Sequence, residues 1–183
     1  MNRTKTRLAL GTGIIAATLM STLALAAPAR ASSADPVSED VHCTIILDTK
    51  SEVCVPSGED LAAAVYEDTG YTLVETTTAP TDAQLERAAE QRLAYVLARF
   101  YDDASYGGSH FDVAATSACN GSFVWSNVIG SSWWGRVSSF QGFSGCVVRI
   151  WETTSYSGSN YGYVANAPGL GAMNDKAKSW QAK

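Results

Sequence analysis

The residues of this chain that could perform nucleophilic, acid–base or metal chemistry are few and lie far apart. The 183-residue sequence contains two histidines, His42 and His110, and four cysteines. A catalytic site needs a nucleophile, a base or a metal set within mutual reach, and a zinc site would need a third ligand that no motif here supplies. The pattern therefore predicts a protein that is not an enzyme.

The adjacent acids Asp102 and Asp103 are the arrangement closest to a pair of catalytic carboxylates. Glycoside hydrolysis uses two acids that flank the bond to be broken. Neighbouring residues of a strand point to opposite faces, so these two side chains would diverge. We interpret them as turn and surface acids.

The four cysteines are better suited to bridging than to catalysis. In an exported chain an even number of cysteines predicts disulfides, and four cysteines allow three pairings. We predict Cys43 with Cys54 and Cys119 with Cys146, since each pair then lies within one half of the chain. The other pairings would join the two halves, and they stay open at this point.

Residues 1–31 have the order of a secretory signal peptide. Arg3, Lys5 and Arg7 precede an uncharged apolar run, and Ala29-Arg30-Ala31 supplies a small-x-small cleavage site. We predict cleavage after residue 31, secretion, and no membrane attachment of the mature chain. The alternative is a retained membrane anchor, because the apolar run is nearly long enough to cross a bilayer.

Cleavage would leave an acidic protein. It removes four basic residues, so that nine basic residues face 18 acidic ones and the formal charge is −9. An acidic surface without a basic cluster repels phosphate backbones, which excludes nucleic acid as a partner class. Cations and basic proteins are the partners that this charge favours.

The mature chain divides by composition into three segments. Residues 32–40 are small, polar and acidic, and predict a disordered N-terminus. Residues 41–92 predict a small ββα unit followed by a helix, which a Thr81/Gln84 capping box would open. Residues 93–183 hold all five tryptophans and 11 of the 15 glycines, a composition that predicts an all-β sandwich. The expected fold class is therefore α+β overall.

Six strand-like apolar runs recur in the third segment, at the spacing expected of a sandwich. They span residues 93–101, 110–114, 123–128, 137–140, 146–151 and 161–165. A disulfide between Cys119 and Cys146 would then link the middle of this segment to the start of its fifth run.

An internal repeat lies within the same segment. Tyr101-x4-Tyr106-x-Gly108 recurs fifty residues later as Trp151-x4-Tyr156-x-Gly158, and each first aromatic residue is followed by an acid. Two later stretches also correspond, and each ends in serine. They read Trp134-Gly-Arg-Val-Ser-Ser139 and Asn174-Asp-Lys-Ala-Lys-Ser179.

The spacing and residue types of this repeat resemble the βγ-crystallin Greek-key motif, in which an aromatic pair and a glycine form a folded hairpin that a later serine closes. The resemblance covers about residues 93–180 and implies a two-motif Greek-key sandwich over residues 93–183. It implies a secreted, non-catalytic module with a structural or binding role. Bacterial members of this superfamily include metalloproteinase inhibitors, but a shared fold does not transfer an activity.

The resemblance also implies where calcium would bind. In calcium-binding members one closing segment gives a carbonyl and a hydroxyl, and the other motif's hairpin gives an acid, all hard oxygen ligands. Carried over by position, one site uses the Gly135 carbonyl, the Ser138 hydroxyl and Glu152, and predicts weak calcium binding at most. The second site has Lys178 in the hydroxyl position, so we expect no ion there and a contact between Lys178 and Asp102 instead.

The segment 120–134 is the candidate binding loop. It is tethered at Cys119, and a rigid loop of this kind could present Trp125 or Trp133 to an extracellular protease as an anchor. The competing interpretation is that Trp133 is a core aromatic residue and that 123–128 is an ordinary strand.

A third function rests on the adjacent pair Trp133-Trp134, which could stack on cell-wall polysaccharide. Only one of two adjacent strand residues can face the core, and Trp134 is the one expected at the surface. The mature chain is expected to be a monomer.

Overall fold

Two β-sheets organise the part of the chain that a computed structural model describes, residues 40–121 and 123–183; the side chain of Ala89 is not described. The predicted signal peptide lies outside these residues, as does the predicted disordered segment 32–40 apart from Asp40. Neither of the two helices within the described part is long and apolar enough to cross a membrane.

The predicted helices and strands are confirmed with small shifts of their ends, and three short strands are added. The N-terminal segment holds β1 (Val41–Ile46), β2 (Ser51–Pro56), α1 (Leu61–Thr69), β3 (Thr72–Val74) and α2 (Asp82–Glu90). The third segment holds β4 (Leu93–Tyr101), β5 (His110–Ala115), β6 (Trp125–Val128), β7 (Ser139–Gly142), β8 (Val148–Trp151), β9 (Asn160–Val164), β10 (Asn166–Ala167) and β11 (Ser179–Ala182). Strands β3, β10 and β11 are the three that the sequence did not predict.

Local signals explain where the helices begin and end. The Asp60 carboxylate accepts the Ala63 N–H at 3.0 Å and caps α1, which ends at Gly70 with φ 71°. Glycine adopts this left-handed conformation without a Cβ penalty. Before α2, the Thr81 N–H donates to Gln84 Oε1 at 2.8 Å, which is one half of the predicted capping box.

The two sheets exchange strands between the repeated motifs. Sheet A has the order β10-β7-β4-β5-β1-β2, with β3 paired to the first part of β4, and sheet B has the order β6-β11-β8-β9. Motif 1 runs from β4 to β7 and motif 2 from β8 to β11. Each motif therefore gives its third strand to the sheet of the other, which ties the two motifs into one sandwich.

The N-terminal segment extends sheet A. Strand β1 pairs in parallel with β5, in the register His42 with His110, and β3 pairs in parallel with β4. Helix α1 covers the outer face at this end, where Val65 packs in a small cluster with Ile46 and Ala114. Residues 41–92 thus continue the sheet of the third segment and do not form a sheet of their own.

The main core lies between the two sheets. Phe100 stacks on Phe111 at 4.8 Å between ring centroids and lies 6.2 Å from the ring of Trp180, which is fully buried. Burial of large apolar side chains of this kind contributes about 1.5–3 kcal/mol each. The strand alternation read from the sequence selects these inward-facing residues.

Both predicted disulfides are confirmed. Cys43 and Cys54 occupy paired positions of β1 and β2, with an S–S distance of 2.07 Å. Cys119 and Cys146 are joined at 2.04 Å, which ties the segment before β6 to the residues before β8.

Candidate functional site

An arginine neutralises the acid of the first folded hairpin. The Arg136 Nη2 atom lies 2.7 Å from Asp102 Oδ2, and the guanidinium lies 4.5 Å from the centre of the Trp133 ring. The prediction that Lys178 contacts Asp102 is wrong, because the Lys178 ammonium lies over the Trp134 ring at 5.7 Å. Each closing segment lies beside the hairpin of its own motif, so Arg136 is the nearer cation.

The two closing segments lie side by side. The Asp175 N–H donates to the Val137 carbonyl at 3.0 Å, and the Ser138 hydroxyl donates to Asp175 Oδ1 at 3.1 Å. Gly135 has φ 75°, and a Cβ built on it would come within 3.9 Å of the Asp175 carbonyl oxygen. Ser138 therefore already has a carboxylate partner from the second motif.

Glu152 lies on the second folded hairpin, is half-buried, and bonds within its own motif. Its Oε2 atom accepts the Ser159 N–H at 3.3 Å. Hydrogen bonds from Ser159 lower the pKa of the Glu152 carboxyl, and the positive charges of Lys176 and Lys178 add to this effect. The calcium site predicted from Gly135, Ser138 and Glu152 stays a prediction.

A buried ion pair on the outer face of sheet A was not predicted from the sequence. Asp112 is fully buried, and Arg99 donates to it twice, from Nε at 2.5 Å and from Nη2 at 2.7 Å. The same Nη2 atom lies 2.6 Å from Glu75. Burial raises the pKa of the Asp112 carboxyl to about 6, against the opposing pull of the Arg99 charge. The available signal was a lone arginine inside the apolar run of β4.

The two histidines meet, although they come from different segments. The His42 and His110 rings stack at 3.9 Å across the β1–β5 pairing. Burial lowers the pKa of His110 to about 3, and the nearby charges of Arg99 and His42 lower it further. His110 is therefore neutral at physiological pH, and no nucleophile accompanies the pair among the described contacts.

Within the described residues, Cys43, Glu52 and Cys54 form the one close group of three side chains whose types ligate metals. The two sulfur atoms are bonded to each other. A metal requires thiolates, so this group offers no ligand set while the disulfide is formed.

The three tryptophans of the candidate loop have different environments. Trp133 is buried against Phe111 at 4.8 Å, in agreement with the core interpretation. Trp134 is 43% exposed, and its indole N–H donates to the Ile129 carbonyl at 2.9 Å. Trp125 is half-buried with its ring 5.0 Å from that of Phe123. Trp133 and Trp134 therefore do not form a shared stacking platform.

The segment 120–134 presents an exposed apolar surface, which we call the apolar rim. Its four members are Phe123, Val124, Val128 and Trp134, which are 57%, 41%, 40% and 43% exposed. In the described part of the chain the other large exposed apolar residues are Val41 and Tyr66. Strand β6, which carries part of the rim, lies at the edge of sheet B. The rim is thus a local concentration of apolar surface beside an open strand edge.

The closing serines act as the repeat predicts. The Ser139 hydroxyl donates to the Asp103 carbonyl at 2.6 Å and accepts the Tyr106 N–H at 3.0 Å. In the second motif the Ser179 hydroxyl donates to the Thr153 carbonyl at 2.6 Å. These bonds close both folded hairpins, and the motifs exchange their third strands.

The fold of residues 93–183 is that of a βγ-crystallin domain. No protein-family model matches the chain, and no curated protein matches it. Among solved structures it is similar to a βγ-crystallin domain from Clostridium beijerinckii, with 20% identity over 47% of this chain and 95% of that chain and a TM-score of 0.37. A clostrillin double mutant in complex with nickel is 22% identical, with the same coverage and the same TM-score.

Two elements are added to the sandwich of residues 93–183. The ββα segment and α2 extend and cover sheet A, whereas sheet B keeps its outer face and both edges, β6 and β9, without a further strand among the described residues.

Proposed function

We propose that this protein is a secreted, non-catalytic crystallin-type module that binds an extracellular protease through the apolar rim. The observation that carries the proposal is the exposure of Phe123 and Trp134, at 57% and 43%, beside Val124 and Val128. Exposed apolar side chains concentrated in one short segment of a protein indicate an interaction site. Aromatic side chains are also the residues that most often dominate binding energy.

The rim is held in place on both sides, which favours tight binding. Strand β6 pairs with β11 in the register Val128 with Ser179, and the disulfide at Cys119 anchors the chain before it. The indole bond from Trp134 to the Ile129 carbonyl fixes the far end of the segment. A surface that is ordered before binding loses less conformational entropy when a partner arrives. Rigid presentation is the property that an inhibitory loop needs against a protease.

The rim itself contains no charged residue, although the whole chain is acidic with a formal charge of −5. Contact energy at the rim would thus come from apolar burial, and the acidic surface around it would favour a basic enzyme surface. A secreted protease meets this description when its substrate cleft has apolar pockets.

The test is inhibition of thermolysin, a secreted zinc metalloproteinase, by the full secreted protein. We expect dose-dependent loss of peptidase activity, and the double variant Phe123→Ser, Trp134→Ser should weaken inhibition at least about 30-fold. Tyr66→Ser is the matched control, since Tyr66 is 59% exposed on α1, away from the rim. It should change inhibition less than about twofold.

Two outcomes would overturn the proposal. One is the absence of inhibition and of binding with thermolysin and with secreted serine and cysteine proteases assayed in the same way. The other is inhibition that survives the double rim variant, which would place the contact elsewhere on the molecule.

A further inference from the structure

The repeat places the same side chains on the outer faces of the two sheets. In each motif an arginine precedes the first hairpin aromatic by two residues. In each motif a glutamine of the last strand accepts a hydrogen bond from that aromatic residue, at 2.5 Å in motif 1 and 3.1 Å in motif 2. The equivalent pairs are Arg99 and Arg149, Tyr101 and Trp151, and Gln141 and Gln181.

One position of this plan differs between the motifs. Opposite Arg99, strand β5 carries Asp112, which is buried and ion-paired with it. Fifty residues later the sequence has Gly162, so the neighbouring strand β9 offers Arg149 no acid at that position. The pairing of β8 with β9 is irregular there, and the Arg149 guanidinium lies 4.7 Å from the Tyr163 ring centre. Motif 2 therefore has the equivalent arginine without an acidic residue at the corresponding position.

A second cation lies on the same ring. Lys183 Nζ is 4.4 Å from the centre of Tyr163, and Arg149 is also 5.0 Å from the centre of Trp151. Ion pairs in the described structure involve Arg99 and Arg136, and neither Arg149 nor Lys183 forms one. Both cations contact the Tyr163 ring, so an anion bound beside that ring would be attracted by both charges.

Neutral hydrogen-bonding groups continue from these cations across sheet B. Gln181 Oε1 accepts from the Trp151 indole N–H and from the Tyr163 hydroxyl, which fixes the amide in place. Ser126 of β6 is exposed and lies directly opposite Gln181 in the register of β6 with β11. Cations flanked by hydroxyl and amide groups match a ligand that carries both carboxylates and hydroxyls.

We infer that the outer face of sheet B around Arg149, Tyr163 and Lys183 binds an acidic polysaccharide through its sugar carboxylates. Arg149 and Lys183 place two positive charges side by side in a chain that has 18 acidic residues and 13 basic ones. Charge complementarity thus selects an anionic ligand at this one face, and the neighbouring polar row selects a sugar polymer. The site uses none of the four residues of the apolar rim and does not depend on the proposed protease partner.

The test is binding of polygalacturonate to the full secreted protein at low salt, measured by isothermal calorimetry. We expect saturable binding that weakens as salt is added, and Arg149→Gln should weaken it at least about tenfold. Lys176→Gln is the matched control, because it removes the same charge from an exposed residue of the closing segment. It should alter the affinity less than about twofold. Lys183→Gln supplies a second variant at an exposed position if Arg149→Gln fails to fold.

Three results would overturn the inference. If polygalacturonate gives no binding heat, the site does not exist. If Lys176→Gln loses as much affinity as Arg149→Gln, only net charge matters. Equal binding of polyglutamate would show that the face recognises any polyanion and not a polysaccharide. Neutral dextran should give no heat.

Discussion

The two motifs have the same folded hairpins and closing serines, but the outer faces of their sheets carry different neighbours around the equivalent arginines. In motif 1 the N-terminal segment adds β1 beside β5, and the half-buried Arg99 is ion-paired with the buried Asp112. In motif 2 strand β9 stays at the sheet edge, and Arg149 has aromatic neighbours but no acid. The hairpin aromatics, glycines and closing serines are the scaffold that both motifs need. The residues that differ decide whether a face becomes interior or remains available to a ligand.

The largest expected difference between the motifs is how much Arg99 and Arg149 each contribute to the free energy of unfolding. Arg99→Leu leaves the Asp112 carboxylate buried without a partner, so the free energy of unfolding should fall by about 3–5 kcal/mol. Arg149→Leu removes no ion pair and should lower it by less than about 1 kcal/mol. Urea unfolding at neutral pH measures both. The double variant Arg99→Leu, Asp112→Leu should recover most of the loss, and equal losses for Arg99→Leu and Arg149→Leu would contradict the comparison.

The hairpin glycines give the next largest contrast. Both have positive φ, 72° at Gly108 and 79° at Gly158. A Cβ at position 108 would lie 2.2 Å from Asp102 Oδ1, whereas at 158 the nearest atom, in Thr153, is 3.4 Å away. Gly108→Ala should therefore destabilise the protein by about 2–3 kcal/mol and Gly158→Ala by about 1 kcal/mol. Thermal unfolding of the two variants side by side tests this, and the reverse order would mean that the Asp102 side chain moves freely.

Much of this scaffold was predictable from the sequence, because local pattern determines it. Alternating apolar runs predicted the long strands, and the aromatic-glycine-serine spacing predicted both hairpins and their closure. Strand partners were not predictable in the same way, since periodicity shows which residues face the core but not which strand lies alongside. The exchange of β6 and β10 and the parallel addition of β1 to β5 are pairings of this kind. The two-residue strand β10, just before Pro168, is also too short to give a periodic signal.

The features of the candidate sites also divide into those that local sequence pattern predicted and those that depend on which strands pair. Exposure of Trp134 and burial of Trp133 were predicted by treating the pair as strand residues, although Ser131–Trp133 forms a 3₁₀ helix that ends at Trp134. The pairing of Arg99 with Asp112 did not, because the two residues meet only when β4 and β5 are placed side by side. Once that pair is known, the repeat itself points to Arg149 and Gly162.

The two acid-range groups with the largest pKa shifts, His110 and Asp112, both lie in motif 1, and the position of motif 2 that corresponds to His110 is Asn160. The pKa of His110 falls from 6.5 to about 3 on folding, so the unfolded chain binds more protons between these values and stability drops as pH falls. Asp112 acts in the opposite sense, since its raised pKa favours the folded state as pH falls from about 6. The difference between the protein and His110→Gln isolates the histidine.

Between pH 6.5 and 4.5 the parent protein should lose about 1–2 kcal/mol relative to His110→Gln, after allowance for partial exposure of the ring. Urea unfolding at a series of pH values gives this difference directly. Parallel pH profiles for the two proteins would show that His110 is not held neutral by burial.

Calcium should have the smallest effect. The Arg136 charge already compensates Asp102, and Lys176 and Lys178 lie near Glu152, so a further cation is disfavoured at both hairpins. We expect no saturable heat below about 1 mM calcium. Tighter binding that disappears in Ser138→Ala would instead support the site predicted from Gly135, Ser138 and Glu152.

The central comparison, a satisfied arginine in motif 1 and an available one in motif 2, can be tested most directly by NMR of the arginine Nε–Hε groups during titration with polygalacturonate. The Arg149 signal should move as ligand is added, while the Arg99 signal, held by Asp112 at 2.5 Å, should stay in place. Assignment follows from the Arg149→Gln spectrum. Movement of the Arg99 signal, or no movement of either, would contradict the difference between the two motifs.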